Sequence, residues 1–188
     1  MKKLAVIVGL MLQLAGCATR GNIQVFDLGL APPPDADRTL EVSVGDAEAP
    51  QWLDNTDMHY RLAWRDRQSL QPYSESRWVG PPAAMLTLRL RQMFNVAAEH
   101  TSRARCRLHL RLDEFSQVFS SETASRAVLQ AQVILTVRGT GEALLSRSWH
   151  IEQRAEAANA SSGAAALAAA TKEFAQSLRS WVQPHCAR

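Results

Sequence analysis

The chain has 188 residues, 46% of them apolar and 21% charged, with 9 Gly and 8 Pro, which excludes a disordered, collagen-like or multi-span membrane chain. The length suits one domain, and such a domain buries roughly 70% of its unfolded surface, enough for a core without metals or dense disulfides. The formal charge of +3 includes Lys2 and Lys3, which lie in a segment expected to be removed, so the alkaline pI is a weak pointer to nucleic acid.

Met1-Lys2-Lys3 gives a short positive start, and residues 4–14 follow as a run that is apolar apart from Gly9 and Gln13. This is long enough for a signal-peptide core and too short for a stop-transfer helix. The segment ends in Leu14-Ala15-Gly16-Cys17, which resembles the lipobox of bacterial lipoproteins. Small residues at 15 and 16 let an extended chain enter a peptidase site. Cys17 supplies the thiol that receives diacylglycerol before cleavage leaves it as the first mature residue. The alternative is an ordinary secretory signal with a chance cysteine. Covalent diacylglycerol and an N-acyl chain on Cys17 are the expected attachments, and no other cofactor is expected. Each buried methylene contributes about 0.8 kcal/mol, so a multiply acylated Cys17 holds stably to a membrane. Ala18 follows rather than Asp, which by resemblance to enterobacterial sorting favours the periplasmic leaflet of the outer membrane.

Residues 18–24 read as a tether. Residues 24–30 form a first candidate strand, closed by Ala31-Pro32-Pro33-Pro34, which forbids helix and central strand alike. Residues 39–44 alternate, with Leu40, Val42 and Val44 on one face. Residues 58–64 alternate too: Met58, Tyr60, Leu62 and Trp64 point one way, His59, Arg61 and Arg65 the other. A turn at residues 65–68 leads into a short strand near 69–73. Gly80-Pro81-Pro82 opens a helix, because proline is tolerated in a first turn. Leu86, Leu90, Met93, Phe94 and Ala97 make its apolar stripe.

Three strands come next, at about 105–115, 123–138 and 143–153. Phe119-Ser120-Ser121-Glu122 is the first turn between them and Gly139-Thr140-Gly141 the second. A hairpin centred between Ser120 and Ser121 sets Leu112 opposite Leu129, Leu110 opposite Ala131 and Leu108 opposite Val133. In the third strand Arg147 shares a face with Leu145, Trp149 and Ile151, which calls for a bulge or a snorkelling side chain. Residues 155–170 are alanine-rich and helical by propensity. Leu167, Ala170, Thr171, Phe174, Leu178 and Trp181 carry one stripe onward, and Pro184 is expected to stop the helix. The sum is an α+β fold: a mainly antiparallel sheet with both helices on one face, preceded by the lipoprotein signal peptide. Residues 1–16 are the signal, 17–24 the lipidated tether and 25–188 the domain.

Two cysteines remain after Cys17. Cys106 shares the parity of Leu108, Leu110 and Leu112 and should face the core, while Cys186 follows the last helix. Cys106 and Cys186 are a candidate disulfide in an oxidising compartment, with two free thiols the alternative. Neither belongs to a C-x-x-C pair, so redox catalysis and zinc are not indicated.

Several short pieces together resemble the ABC-type transport auxiliary lipoprotein family, to which the paraquat-inducible operon's lipoprotein belongs. They are Phe26-Asp27-Leu28-Gly29, Leu40-Glu41-Val42-Ser43-Val44, Ala49-Pro50-Gln51-Trp52-Leu53-Asp54 and Met58-His59-Tyr60-Arg61-Leu62. Trp78 before the first helix, Leu110-Arg111-Leu112-Asp113-Glu114-Phe115 and Trp181 complete the pattern. The chain departs from the family at Gln51-Trp52 and at Gly80-Pro81-Pro82. The resemblance implies a non-enzymatic part of a lipid-transport system that links or caps a route between the two membranes. Its implied partners are an ABC transporter permease complex and a mammalian-cell-entry-type protein. Ring-shaped partners invite a homo-oligomer of matching symmetry, although no residue of the sequence demonstrates one.

No nucleotide-binding G-x-x-x-x-G-K-[ST], no G-x-S-x-G and no H-x-x-x-H occurs in the sequence, so a metal site or a hydrolase is poorly supported. Asp113 and Glu114 are adjacent on a strand and should point to opposite faces, unsuited to shared acid–base work. Arg103, Arg105, Arg107, His109 and Arg111 line one strand face. That face is either simply solvated or, through Arg105, Arg107 and Arg111, a contact for anionic head groups or an acidic partner. Trp52 and Trp78 either cap the core or anchor a partner. A stand-alone lipid carrier with its own cavity is the runner-up to the adaptor.

Overall fold

The computed structural model describes residues 22–31, 42–94 and 104–186. Seven strands and two helices follow in chain order. They are β1 (Gln24–Phe26), β2 (Val42–Val44), β3 (Asp57–Leu62), β4 (Gln71–Trp78), α1 (Pro82–Met93), β5 (Cys106–Phe119), β6 (Ser125–Val137), β7 (Ala143–Arg154) and α2 (Ala160–Cys186). One sheet runs β1-β4-β3-β5-β6-β7, with β2 also beside β5. The long β5/β6 and β6/β7 ladders and the β3/β4 pair are antiparallel, whereas β1/β4, β2/β5 and β3/β5 are parallel.

The strand β5 organises the sheet. One of its edges pairs with β6 throughout. The other is taken in turn by β2 at Cys106–Leu108, by the segment around Gly45 and Glu48, and by β3 at Ser116–Phe119. Leu108, Leu110 and Leu112 enter the core with Val133, Leu135 and Leu129 of β6, all buried. Helix α2 lays Leu167, Ala170, Phe174, Leu178 and Val182 over this face, at helical spacing and fully buried. Alanines among them let the helix approach closely. Asn159 caps it, its Oδ1 accepting the Ser162 N–H at 2.9 Å. Helix α1 buries Leu86 and Leu90 in the same core, so both helices lie on one face. Phe94 closes that stripe from just past the helix, and Ala97 lies outside the described residues.

Four expectations change. The hairpin register is Leu108 opposite Leu135, Leu110 opposite Val133 and Leu112 opposite Ala131. The turn is centred on Glu122 rather than between Ser120 and Ser121, and a bulge between Leu112 and Glu114 absorbs one residue. That bulge also overturns the opposed placement of Asp113 and Glu114. Leu112 and Phe115 are both buried in the core, which leaves the two acidic residues together on the outer face. Trp64 does not share the Met58 face, because β3 ends at Leu62 and the chain turns. The indole is half exposed, with the Arg65 guanidinium 5.7 Å from its ring. Finally, Pro184 does not end the last helix, which continues to Cys186. Proline in a last turn forfeits little more than one backbone hydrogen bond, and the Cys106–Cys186 disulfide pins that turn to β5.

Two further details complete the frame. The strand before α1 is longer than its polar sequence suggests, reaching Trp78. Arg147 keeps its place beside Trp149 by lying over the indole, 5.1 Å from the ring centroid, rather than by entering the core.

Candidate functional site

The face of the sheet opposite the helices is where the sequence-predicted polar residues gather. In β5 the alternation that buries Leu108, Leu110 and Leu112 turns Arg107, His109 and Arg111 outward. Opposite them in β6 stand Thr136, Ile134 and Gln132. The loop after β2 forms one wall. Gly45 and Glu48 donate their backbone N–H groups to Leu108 and Leu110 carbonyls at 3.0 and 2.9 Å, and Ala47 N–H is held by Thr87 Oγ1 of α1 at 2.8 Å.

Two open grooves result, the larger on this face and the smaller at the β2 edge of the sheet, where Arg91 of α1 meets Arg107. The smaller, about 280 Å³, is lined by Arg91, Arg107 and Arg138 together with Asp46. Arg91 is fixed there by donating to the Val44 carbonyl at 3.1 Å and pairing with Asp46 at 3.0 Å. The larger, about 480 Å³, holds Glu48, His109, Arg111, Gln132 and Ile134. Arg111 pairs with Asp113 at 2.7 Å. Three guanidinium groups at one groove and mixed charge at the next suit an anionic or acidic contact more than an apolar one.

Further along β5 the same face becomes drier. Arg61 donates to Glu114 at 2.8 Å, with both side chains largely buried. His59 sits opposite Ser116, and its ring and the Trp52 indole are set nearly perpendicular, with centroids 6.0 Å apart. His59 Nδ1, Ser116 Oγ and Glu114 Oε1 are buried without a hydrogen-bond partner among the described residues. Burial holds the His59 imidazole below its ordinary pKa, against the pull of Asp57 and Glu114. At the outer strand, Glu152 accepts from His150 and Arg126, which lowers its carboxyl pKa. On the helix face, burial pushes the Tyr73 hydroxyl up, and that hydroxyl donates to Gln117 at 2.8 Å.

The predicted residues therefore divide. Arg105, Arg107 and Arg111 stand exposed along the start of β5. Arg103 and Cys17 lie outside the described residues. Trp52 is 39% exposed and available to a partner. Trp78 is not: it is buried and packed on Phe115, ring centroids 5.4 Å apart, which makes it a core residue. Cys106 and Cys186 are bonded, with Cα atoms 6.1 Å apart. Arg91 and Arg138 were missed, and neither carries a local signal, since one is on a helix and the other in a turn. Among the described residues no cluster of three or more His, Cys, Asp or Glu is placed to hold a metal, and no described helix is long and apolar enough to cross a membrane.

The comparisons agree with this frame. A family model described as ABC-type transport auxiliary lipoprotein component matches residues 28–178. A solved protein of the DUF330 family from Xanthomonas campestris superimposes with a TM-score of 0.72 at 15% identity, covering 85% of this chain and 94% of its own. A second solved structure, described as an uncharacterized protein, gives a TM-score of 0.68 at 13% identity, with 86% and 99% covered. At such identities these likenesses speak for the fold alone. No curated protein matches the chain.

Proposed function

Because the chain belongs to the family of ABC-type transport auxiliary lipoprotein components, we propose that it is the non-catalytic adaptor or cap of an intermembrane lipid-transport system. In this reading Cys17 carries the acyl chains and holds the domain to the periplasmic leaflet of the outer membrane. The open sheet face docks a mammalian-cell-entry-type protein or the permease complex it serves.

One observation carries the docking surface: Arg91, Arg107 and Arg138 converge on a single open groove beside Asp46. A cationic, solvent-open groove at the edge of a rigid sheet fits recognition of an acidic protein surface, giving specificity and steering. The runner-up carrier reading is less well served, since these grooves are open to solvent and partly charged whereas a lipid tail needs an enclosed apolar space.

The test is a pull-down from detergent-solubilised envelopes with tagged protein beside a Cys17→Ala control, read by mass spectrometry. Recovery of a mammalian-cell-entry-type protein or permease, with lipid present only through that partner, is the expected result. Recovery of the protein alone with stoichiometric phospholipid overturns the adaptor. An Arg91→Glu/Arg107→Glu variant should lose the partner while keeping its fold.

A further inference from the structure

The exposed apolar side chains are not scattered. Of the nine large ones among the described residues, five cluster at one edge of the molecule: Ile23, Val25, Leu30, Val79 and Leu88. Each is more than half exposed and Leu30 is 98% exposed. Single exposed apolar residues need no explanation, but a contiguous group does. Continuity here comes from two adjoining grooves. One of about 460 Å³ runs between β1 and the first turns of α2, floored by Val25, Phe26, Val79, Ala164 and Ala168. The other, about 260 Å³, lies over α1 beside Leu28, Leu30, Met85 and Leu88. Val79, Asp27 and Gly29 belong to both.

The position of this patch in the chain names its occupant. Ile23 is six residues after Cys17, and six extended residues span at most about 20 Å. On the reading that Cys17 is acylated, Ile23 at the start of the patch is thus held within about 20 Å of a bilayer whatever path the tether takes. The charges at the rim agree. Arg89 of α1 donates to the carbonyls of Leu28 and Leu30 at 2.7 and 3.2 Å, which sets its guanidinium beside the exposed side chains. Asp27, the nearby carboxylate, is engaged with the Gly29 N–H at 2.7 Å. An apolar surface edged by arginine is the pattern that rests in the head-group region of an anionic membrane.

We infer that the β1–α1 edge is a second membrane contact, in which Ile23, Val25, Leu30, Val79 and Leu88 seat the domain on the bilayer that holds its anchor. This rests on the lipidation of Cys17 and goes beyond it. A tether alone leaves the domain free to tumble, whereas a seated edge fixes which way the cationic face points. The patch lies at the β1 end of the sheet, and β7 forms the other edge.

The experiment uses the full lipidated protein, reconstituted in vesicles of phosphatidylethanolamine and phosphatidylglycerol. An environment-sensitive dye is attached through Leu30→Cys, Leu88→Cys or, on the far edge, Leu144→Cys. The native disulfide is buried and does not compete. Lipids with a quencher near the head group should reduce emission about twofold or more at positions 30 and 88 and leave position 144 nearly unchanged. Protein that floats with the vesicles yet is quenched equally weakly at all three positions overturns the inference and spares the anchor. A blue shift at 30 and 88 that grows with protein density, without quenching by lipid, assigns the patch to a second copy and also overturns it. Protein that fails to float at all overturns the anchor itself, and the seated edge with it.

Discussion

The two faces of the sheet are made from the same strands and differ in almost every other respect. Within β5, Leu108, Leu110 and Leu112 go under α2 while their neighbours Arg107, His109 and Arg111 go to solvent. The helix face is closed by large side chains in contact, with Trp149 set edge-on to both Phe174 and Trp181. The outer face has grooves, arginines and a buried polar seam in which three atoms lack partners. One face therefore holds the fold together and the other is free to be shaped by contact. This separation lets a partner surface change without endangering the core.

Substitutions on the helix face should cost the most. Phe174→Ala should cost about 3–5 kcal/mol in urea unfolding, since the ring is fully buried and its space cannot collapse against Trp149. Next comes the disulfide. Replacing Cys106 and Cys186 together by alanine should cost about 2–5 kcal/mol, read as a lower Tm than the oxidised protein. A smaller effect is expected at Gly163, where an added Cβ would meet the amide of buried Gln117. That amide cannot swing away: it accepts from Tyr73 and donates to Ser125 Oγ at 2.7 Å and to the Asn159 carbonyl at 3.1 Å. Gly163→Ala should cost about 1–3 kcal/mol, and adding Gln117→Ala should give less than additive loss in a double-mutant cycle.

The outer face answers to pH rather than to volume. The folded-state pKa of His59 lies below its unfolded value, chiefly through burial, so the unfolded chain takes up a proton at a pH where the folded chain resists it. Its contribution is intact above the unfolded pKa near 6.5 and is lost as pH falls from there through the folded pKa. Urea midpoints measured between pH 7.5 and 5 should therefore fall more steeply for the native protein than for His59→Gln. The smallest change is expected at the groove itself. Ile134→Ala, on a side chain 44% exposed, should move stability by no more than about 0.5 kcal/mol. A large loss there would mean that the outer face also carries the fold.

How much of this was legible depended on whether the signal was local. The first helix announced itself through its opening prolines, the last through alanine content, both through 3.6-residue stripes, and β5 and β6 through alternation. The inward parity of Cys106 was equally plain. The bulge at Asp113 also leaves a trace, the three-residue step from Leu112 to Phe115 where alternation demands two, but in the sequence alone that step looks the same as the end of a strand. The parallel pairing of β3 with β5 had none. It joins residues more than fifty positions apart, and no turn between them fixes the register. The groove arginines fail for the same reason. Arg91 and Arg138 come from a helix and a turn, and only the tertiary fold brings them to Arg107.

The bond between Cys106 and Cys186 joins the first residue of β5 to the last of α2, 80 positions apart in the chain. The three long strands, both hairpin loops and the long helix thus form one covalent ring. A protease that cuts once in the loop around Glu122, or in the one around Gly141, opens the ring without releasing a fragment. The severed ends stay within reach of the ladders they left, and the molecule outlives a cut that would otherwise divide it in two.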